Sequence, residues 1–240
     1  MNEWKGNKHA VRAQKGIQSD YTTSKRNEDD FYATDPYALE LLLDHCSSWL
    51  YTMFLKSRFE SQNKDILKGT SSWWGFSIWE CAVGTGNLAK VLKDRGYQVK
   101  CSDIKDRGYC KRKGMCCIDF LKTDMGIMYR NHIGIILTNP PFRYANEFIM
   151  HALDLLPENG LYIAFMNLTY LAGKERYESI YQFGSLREVY VFPRRVGAWR
   201  NNDPIACKDI RMVDYAWFVF QKGYVGACSL YWLYEPERKN

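Results

Sequence analysis

The alternation of apolar and polar positions divides this chain into segments of two periods. From Pro36, "PYALELLLDHCSSWLYTMF" repeats apolar residues at helical spacing, with Pro36 at the first helical position and Thr34 or Asp35 as the cap. After a polar connector around residues 61–72, "FSIWECAV" (76–83) is a short apolar run typical of a buried strand. The glycine turn Gly84-Thr85-Gly86 ends it, and "NLAKVLKDRG" returns to the helical period. "YQVKCSDI" (97–104) predicts a second strand, followed by the basic, glycine-bearing loop "KDRGYCKRKGMCC". Further strands are predicted in "HIGIILTNPPF" (132–142), "GLYIAFMN" (160–167), "REVYVF" (187–192) and the very aromatic "DYAWFVFQKG" (214–223). Helices are predicted in "EFIMHALDLL" (147–156) and "KERYESIYQFG" (174–184). Strands alternating with helices and closing on a strand pair imply an α/β fold: a doubly wound, mostly parallel sheet with an antiparallel element near its end.

Residues 1–30 mix lysine, arginine, serine and acids without apolar periodicity, so they read as a flexible arm. Residues 31–240 read as one domain. The chain has 240 residues, 46% of them hydrophobic, and a formal net charge of +6, which suits an anionic partner without establishing one. The start is polar and unlike a secretory leader, and no run approaches the roughly 18–20 apolar residues that span a bilayer. Eight cysteines without a regular framework, in a chain too large to need stapling, indicate reduced thiols and a cytoplasmic setting. Cys110, Cys116 and Cys117 lack metal-ligand spacing, so no metal is expected.

Two motifs carry the chemistry. Gly84-Thr85-Gly86-Asn87-Leu88-Ala89, between a strand and a helix, has the spacing in which the first glycine makes a tight turn and the second admits a ligand to the backbone. Asp103 follows nineteen residues after Gly84, where a carboxylate can accept both hydroxyls of a ribose. A nucleoside cofactor is implied. Glu80, just before the turn, would repel a pyrophosphate but attracts the ammonium and sulfonium cations of S-adenosylmethionine, which is favoured over a nicotinamide cofactor. Asp119-Phe120 lies further on, where the acid either accepts from the cofactor's adenine amino group or is a solvated turn residue.

The second motif is Thr138-Asn139-Pro140-Pro141-Phe142. Two prolines end a buried strand abruptly and stiffly, beyond the carboxyl edge where open α/β sheets bind ligands. The Asn139 oxygen and the Pro140 carbonyl would both accept from an exocyclic amine, drawing its nitrogen toward tetrahedral geometry and freeing the lone pair. A carboxamide does not readily take the proton, so its role is orientation and polarisation. Phe142 would stack on a base flipped out of a duplex. The segment 193–212, basic and too long for a hairpin turn, holds Arg194, Arg195, Trp199, Arg200, Lys208 and Arg211. Arginines interleaved with an aromatic suit phosphates and an exposed base, although a solvated loop has the same composition.

"WECAVGTGNLAKVL", "SDI", "DFL" and "TNPPF", with "FYATDPYALELLL" upstream, resemble the ordered motifs of class I S-adenosylmethionine-dependent methyltransferases of the adenine amino group. "DRGY", "VYVFPRR" and "YAWFVFQKGYVG" resemble compact phage and prophage DNA adenine-N6 methyltransferases, some of them parts of restriction-modification systems. The resemblance implies a seven-stranded, Rossmann-like sheet with an antiparallel last strand. It implies that Tyr32 and Thr34 flank the methionine moiety, with Glu80, Ala82, Gly84 and Gly86 around its amino and carboxylate end. It places Asp103 and Ile104 at the ribose, Asp119 and Phe120 at the cofactor adenine, and Asn139, Pro140, Pro141 and Phe142 in the catalytic turn. The implied partner is DNA with a flipped adenine; adenine in RNA and glutamine in protein pose the same chemical problem. Only 98 residues follow the turn, too few for a large target-recognition domain, which leaves 193–212 as the candidate recognition element.

Overall fold

The runs Ile133–Thr138 and Leu161–Asn167 form neighbouring parallel strands, nearly continuous in apolar residues as burial on both faces demands. The computed structural model describes residues 32–62, 77–110, 117–127, 132–200 and 213–234. The expected arm 1–30 lies outside them, as do Lys208 and Arg211. The chain from Phe31 onward forms one compact unit.

A short strand, β1 (Tyr32–Thr34), precedes helices α1 (Pro36–His45) and α2 (Ser48–Gln62). Asp35 is the cap of α1, its carboxylate accepting from the Tyr37 amide at 3.0 Å, and Pro36 follows at the first position. Then come β2 (Ser77–Glu80), α3 (Asn87–Asp94), β3 (Val99–Cys101), β4 (Ile133–Thr138), α4 (Ala145–Leu155) and β5 (Leu161–Asn167). The chain continues through α5 (Lys174–Ser179), β6 (Leu186–Val191), β7 (Ala198–Arg200), β8 (Tyr215–Gln221) and β9 (Ser229–Trp232).

Seven strands form one sheet in the order β3-β2-β4-β5-β8-β6-β9. β8 is antiparallel to both β5 and β6, and the other pairings are parallel. This is the Rossmann-like, doubly wound arrangement of class I methyltransferases, and it puts the carboxyl ends of β2 and β4 side by side. One face packs Ile78, Ile135, Leu137, Ile163 and Trp217 against Leu39, Leu42, Leu50, Phe54 and Leu92 of α1, α2 and α3. The other packs Trp79, Ile136, Tyr162 and Phe218 against Phe148, Ile149 and Ala152 of α4.

Four details differ from the sequence expectation. The single helix expected from Pro36 is broken at Cys46 and Ser47 into α1 and α2. The helix expected over 174–184 stops at Ser179, after which Ile180 leaves helical geometry and a 3-10 turn, Tyr181–Phe183, leads to Gly184. β7 lies inside the basic segment expected to be loop, pairing antiparallel with β1 as a separate two-stranded sheet. Beyond the aromatic strand β8 the chain adds an edge strand, β9. None of the described helices is long and apolar enough to cross a membrane.

Candidate active site

The site is built where β2 and β4 end. Buried Glu80 closes β2; one of its carboxylate oxygens accepts from the Thr138 hydroxyl at the end of β4 and, at 3.3 Å, from the Ala82 amide. The other oxygen is buried and has no partner among the described residues. Burial raises the acid to about 8, aided by repulsion from Asp103 and opposed by the Thr138 and Ala82 hydrogen bonds. A carboxylate kept from water with an open oxygen is a socket for a cation.

The chain leaves β2 through Gly84 and Gly86, both at positive φ (53° and 85°), a conformation that glycine adopts without penalty. The Gly84 amide donates to Asp103 at 2.8 Å, and the Lys105 amide donates to the other Asp103 oxygen at 3.0 Å. Two backbone donors thus lock the carboxylate at the end of β3, and each oxygen keeps a lone pair for a ribose hydroxyl. Exposed Ile104 follows it as an apolar shelf.

The second glycine corrects one expectation. A methyl group built on Gly86 would fall 2.2 Å from the Tyr109 ring, so its bare face admits a protein side chain. Tyr109 is held there by Lys93, whose ammonium donates to its hydroxyl at 2.9 Å and lies 4.9 Å from its ring centre. The basic loop after β3 therefore folds back over the glycine turn.

At the end of β4, the Asn139 amide nitrogen donates to the Tyr32 carbonyl at 2.8 Å. A carbonyl only accepts, so this bond fixes which end of the carboxamide is which: the oxygen points the other way. That oxygen is buried and has no partner among the described residues. Pro140 is buried, and the Phe142 carbonyl accepts from the Tyr170 hydroxyl at 2.9 Å, which buttresses the turn from the segment after β5. The Phe142 ring is half-buried in a ladder of near-parallel rings, with Tyr32 at 5.5 Å on the β1 side and Tyr215 at 5.9 Å. The Thr34 hydroxyl is a third buried oxygen without a partner among the described residues.

Phe120 lies apart from this group. Its ring is buried among Trp79, Phe148 and His151, leaving only its backbone to face a ligand. Asp119 caps the 3-10 turn Phe120–Lys122, accepting from the Leu121 amide at 3.2 Å and pairing with Lys122 at 3.2 Å. Arg194 and Arg195 are exposed after β6, with Arg195 paired to Asp214 at 2.8 Å. Trp199 and Arg200 occupy β7 opposite Ala33 and Tyr32. β1 thus lies between β7 and Asn139, with its Tyr32 carbonyl turned to the Asn139 amide.

Asn87, Tyr109, Thr138 and Tyr170 are site residues to which the sequence reading gave no role. Asn87 stands at the start of α3, directly behind the glycine turn, and its amide donates to the Thr34 carbonyl at 3.0 Å. A carboxamide at that position was the available signal. Among the described residues no cluster of three metal-ligating side chains occurs.

No protein-family model matches the chain, and no curated protein does. Among solved structures it is similar to the type IIG restriction endonuclease BpuSI (15% identity, TM-score 0.43), over 71% of this chain and 25% of that one. It is also similar to a Listeria monocytogenes protein assigned to the class I S-adenosylmethionine-dependent methyltransferases (12% identity, TM-score 0.47, 82% and 72% covered). A third likeness is to TrmN of Thermus thermophilus (20% identity, TM-score 0.38, 70% and 52% covered). At these scores none of the three bears on what this chain does.

Proposed function

We propose that this chain is an S-adenosylmethionine-dependent methyltransferase acting on the exocyclic N6 amino group of adenine in DNA. The observation that carries the reading is the Asn139 carboxamide. It is held by its nitrogen, and its oxygen is left as a buried, unpaired acceptor at the carboxyl end of β4. A buried acceptor without a partner costs roughly 1–3 kcal/mol, a cost that a bound amine removes.

The residues present fit the cofactor. Glu80 offers an unpaired oxygen for the methionine ammonium, Thr34 a second acceptor above it, and Asp103 a fixed carboxylate for the ribose. Ile104 flanks the nucleoside, and Asp119 with the Phe120 backbone is the proposed adenine contact. S-adenosylmethionine, when bound, supplies an electrophilic methyl group on a cationic sulfur. Asn139 and the Pro140 carbonyl hold the two amine protons of the target and turn its lone pair outward; as the nitrogen takes the methyl group the carbon–sulfur bond breaks, and the proton the cationic product sheds passes to solvent, so no residue of the turn is required as a base. Pro141 and the buttressed Phe142 keep those acceptors in place. The Tyr32 ring lies against Phe142, so an incoming base displaces that ring or extends the same stack.

DNA is the proposed polymer because the segment that carries Arg194, Arg195, Trp199 and Arg200 pairs through β7 with β1, whose Tyr32 carbonyl holds Asn139. The test is incubation with radiolabelled cofactor and unmethylated duplex DNA, RNA or protein extract in parallel. Label in DNA is expected; label confined to RNA or protein would reassign the substrate, and none in any polymer would refute the reading.

A further inference from the structure

β1 is bound along both of its edges. On one edge the Asp35 amide, just past the strand, donates to the Gly197 carbonyl at 3.0 Å, in register with the Tyr32↔Arg200, Ala33↔Trp199 and Thr34↔Ala198 pairs of the β7 ladder. Antiparallel pairing alternates, so Ala33 also faces β7, and the carbonyls of Tyr32 and Thr34 face the opposite way. There they are taken by two side chains in place of a third strand: Asn139 of the catalytic turn at 2.8 Å and Asn87 of the glycine turn at 3.0 Å. Asn87 is itself steadied by the Thr85 hydroxyl, which donates to its oxygen at 3.2 Å. β1 is only three residues long, and so is its partner β7. Neither is a stable element alone.

We infer that β1 is a coupling strap. It makes binding of the cofactor in the glycine crevice and binding of DNA on the β7 segment mutually reinforcing, with Asn87 as the positioning residue that ties the strap to the crevice. The inference rests on the methyltransferase reading. Its physical content is that each ligand orders the same three residues. Cofactor in the crevice fixes Thr34 and the Asn87 clamp, whereas a polymer on β7 fixes that strand and, through the ladder, Ala33. Whichever binds second finds the strap already ordered, and the gain is reciprocal. Holding β1 in place also holds the Tyr32 carbonyl, and so keeps the Asn139 oxygen facing the target amine.

The experiment measures the dissociation constant of S-adenosylhomocysteine by equilibrium dialysis, with and without saturating unmethylated plasmid DNA. In the wild-type chain DNA tightens the constant on the order of tenfold. Ala33→Pro removes the amide facing β7; it brings the ratio close to one while leaving the constant without DNA within about threefold. Asn87→Asp puts a carboxylate against the Thr34 carbonyl and also abolishes the ratio, which supplies the test if the proline variant does not fold. A wild-type ratio of one, or a folded variant that binds both ligands and keeps the full ratio, overturns the inference and leaves the methyltransferase reading standing. Wild-type protein that binds no S-adenosylhomocysteine overturns both.

Discussion

Two polar regions of this molecule, at opposite ends of the parallel strands, treat their buried charges differently. A cavity of about 590 Å³ near the start of β6 is lined by Ser47, Trp49, Arg187, Glu188, Tyr224 and Tyr231, among others. Every strong group there is answered. Glu188 accepts from the Ser47 hydroxyl at 2.9 Å and from Tyr190 at 2.6 Å, and Tyr190 in turn accepts from the Ser47 amide. The Arg187 guanidinium lies 3.7 Å from the Trp49 ring centre and 4.9 Å from that of Tyr224, and donates to Gln221 at 2.7 Å. At the carboxyl end, Thr34, Glu80 and Asn139 each keep a buried oxygen with no partner among the described residues. Satisfied polar burial holds the sheet to its helices; these three open oxygens are where the proposed ligands would complete the structure. The Tyr162 hydroxyl, buried near Glu80 and Cys81, also lacks a partner, and no role is assigned to it.

Substitutions sharpen this contrast. The largest effect is expected at Asn139: replacing it by alanine lowers single-turnover methyl transfer by about 10²–10³-fold, while S-adenosylhomocysteine affinity stays within about threefold. A parallel loss of affinity would show that the amide builds the crevice and does not serve the target.

Glu80→Gln comes next. It weakens S-adenosylhomocysteine on the order of tenfold near neutral pH, by removing a charge-assisted contact to the ammonium. The wild-type acid titrates near 8 when folded, so the folded chain holds a proton that the unfolded chain has released. Stability from this group is therefore complete below the ordinary glutamate range and is lost as pH rises toward about 8. Cofactor affinity should rise over the same interval, because binding a cation expels that proton. Thermal melts and titration calorimetry across this range should show both slopes in the wild type and neither in the glutamine variant.

At the saturated end the outcome reverses. Glu188→Ala strands Tyr190 and Ser47, and should cost about 1–3 kcal/mol in denaturant unfolding with the turnover of the folded fraction unchanged. A loss of turnover there would erase the distinction between the two ends. The smallest effect is expected at Arg194→Ala, which should weaken DNA binding uniformly across sequences and lower the magnitude of the salt slope by about one.

Long elements were legible because their periods are long. α1 with its Asp35 and Pro36 start, the runs that became β4, β5 and β8, and the glycine turn all follow from patterning and backbone chemistry. β1, β7 and β9 were not legible: unlike the equally short β2 and β3, they do not flank a glycine turn and a helix, and Ala198–Arg200 sits within a polar, basic stretch. Asn139 and Glu80 could be named as chemistry from their neighbours. That the Asn139 nitrogen is held by Tyr32, 107 residues earlier, depends on a tertiary contact that no local pattern encodes. The same holds for Tyr109 filling the bare face of Gly86, where the motif alone suggested a ligand.

The most direct measurement is to digest DNA labelled by this protein with radioactive cofactor to nucleosides and identify the one that carries the methyl group. The account predicts label on N6-methyldeoxyadenosine, absent with Asn139→Ala. Label on a cytosine ring carbon, or transfer that persists in the alanine variant at the wild-type rate, would contradict it.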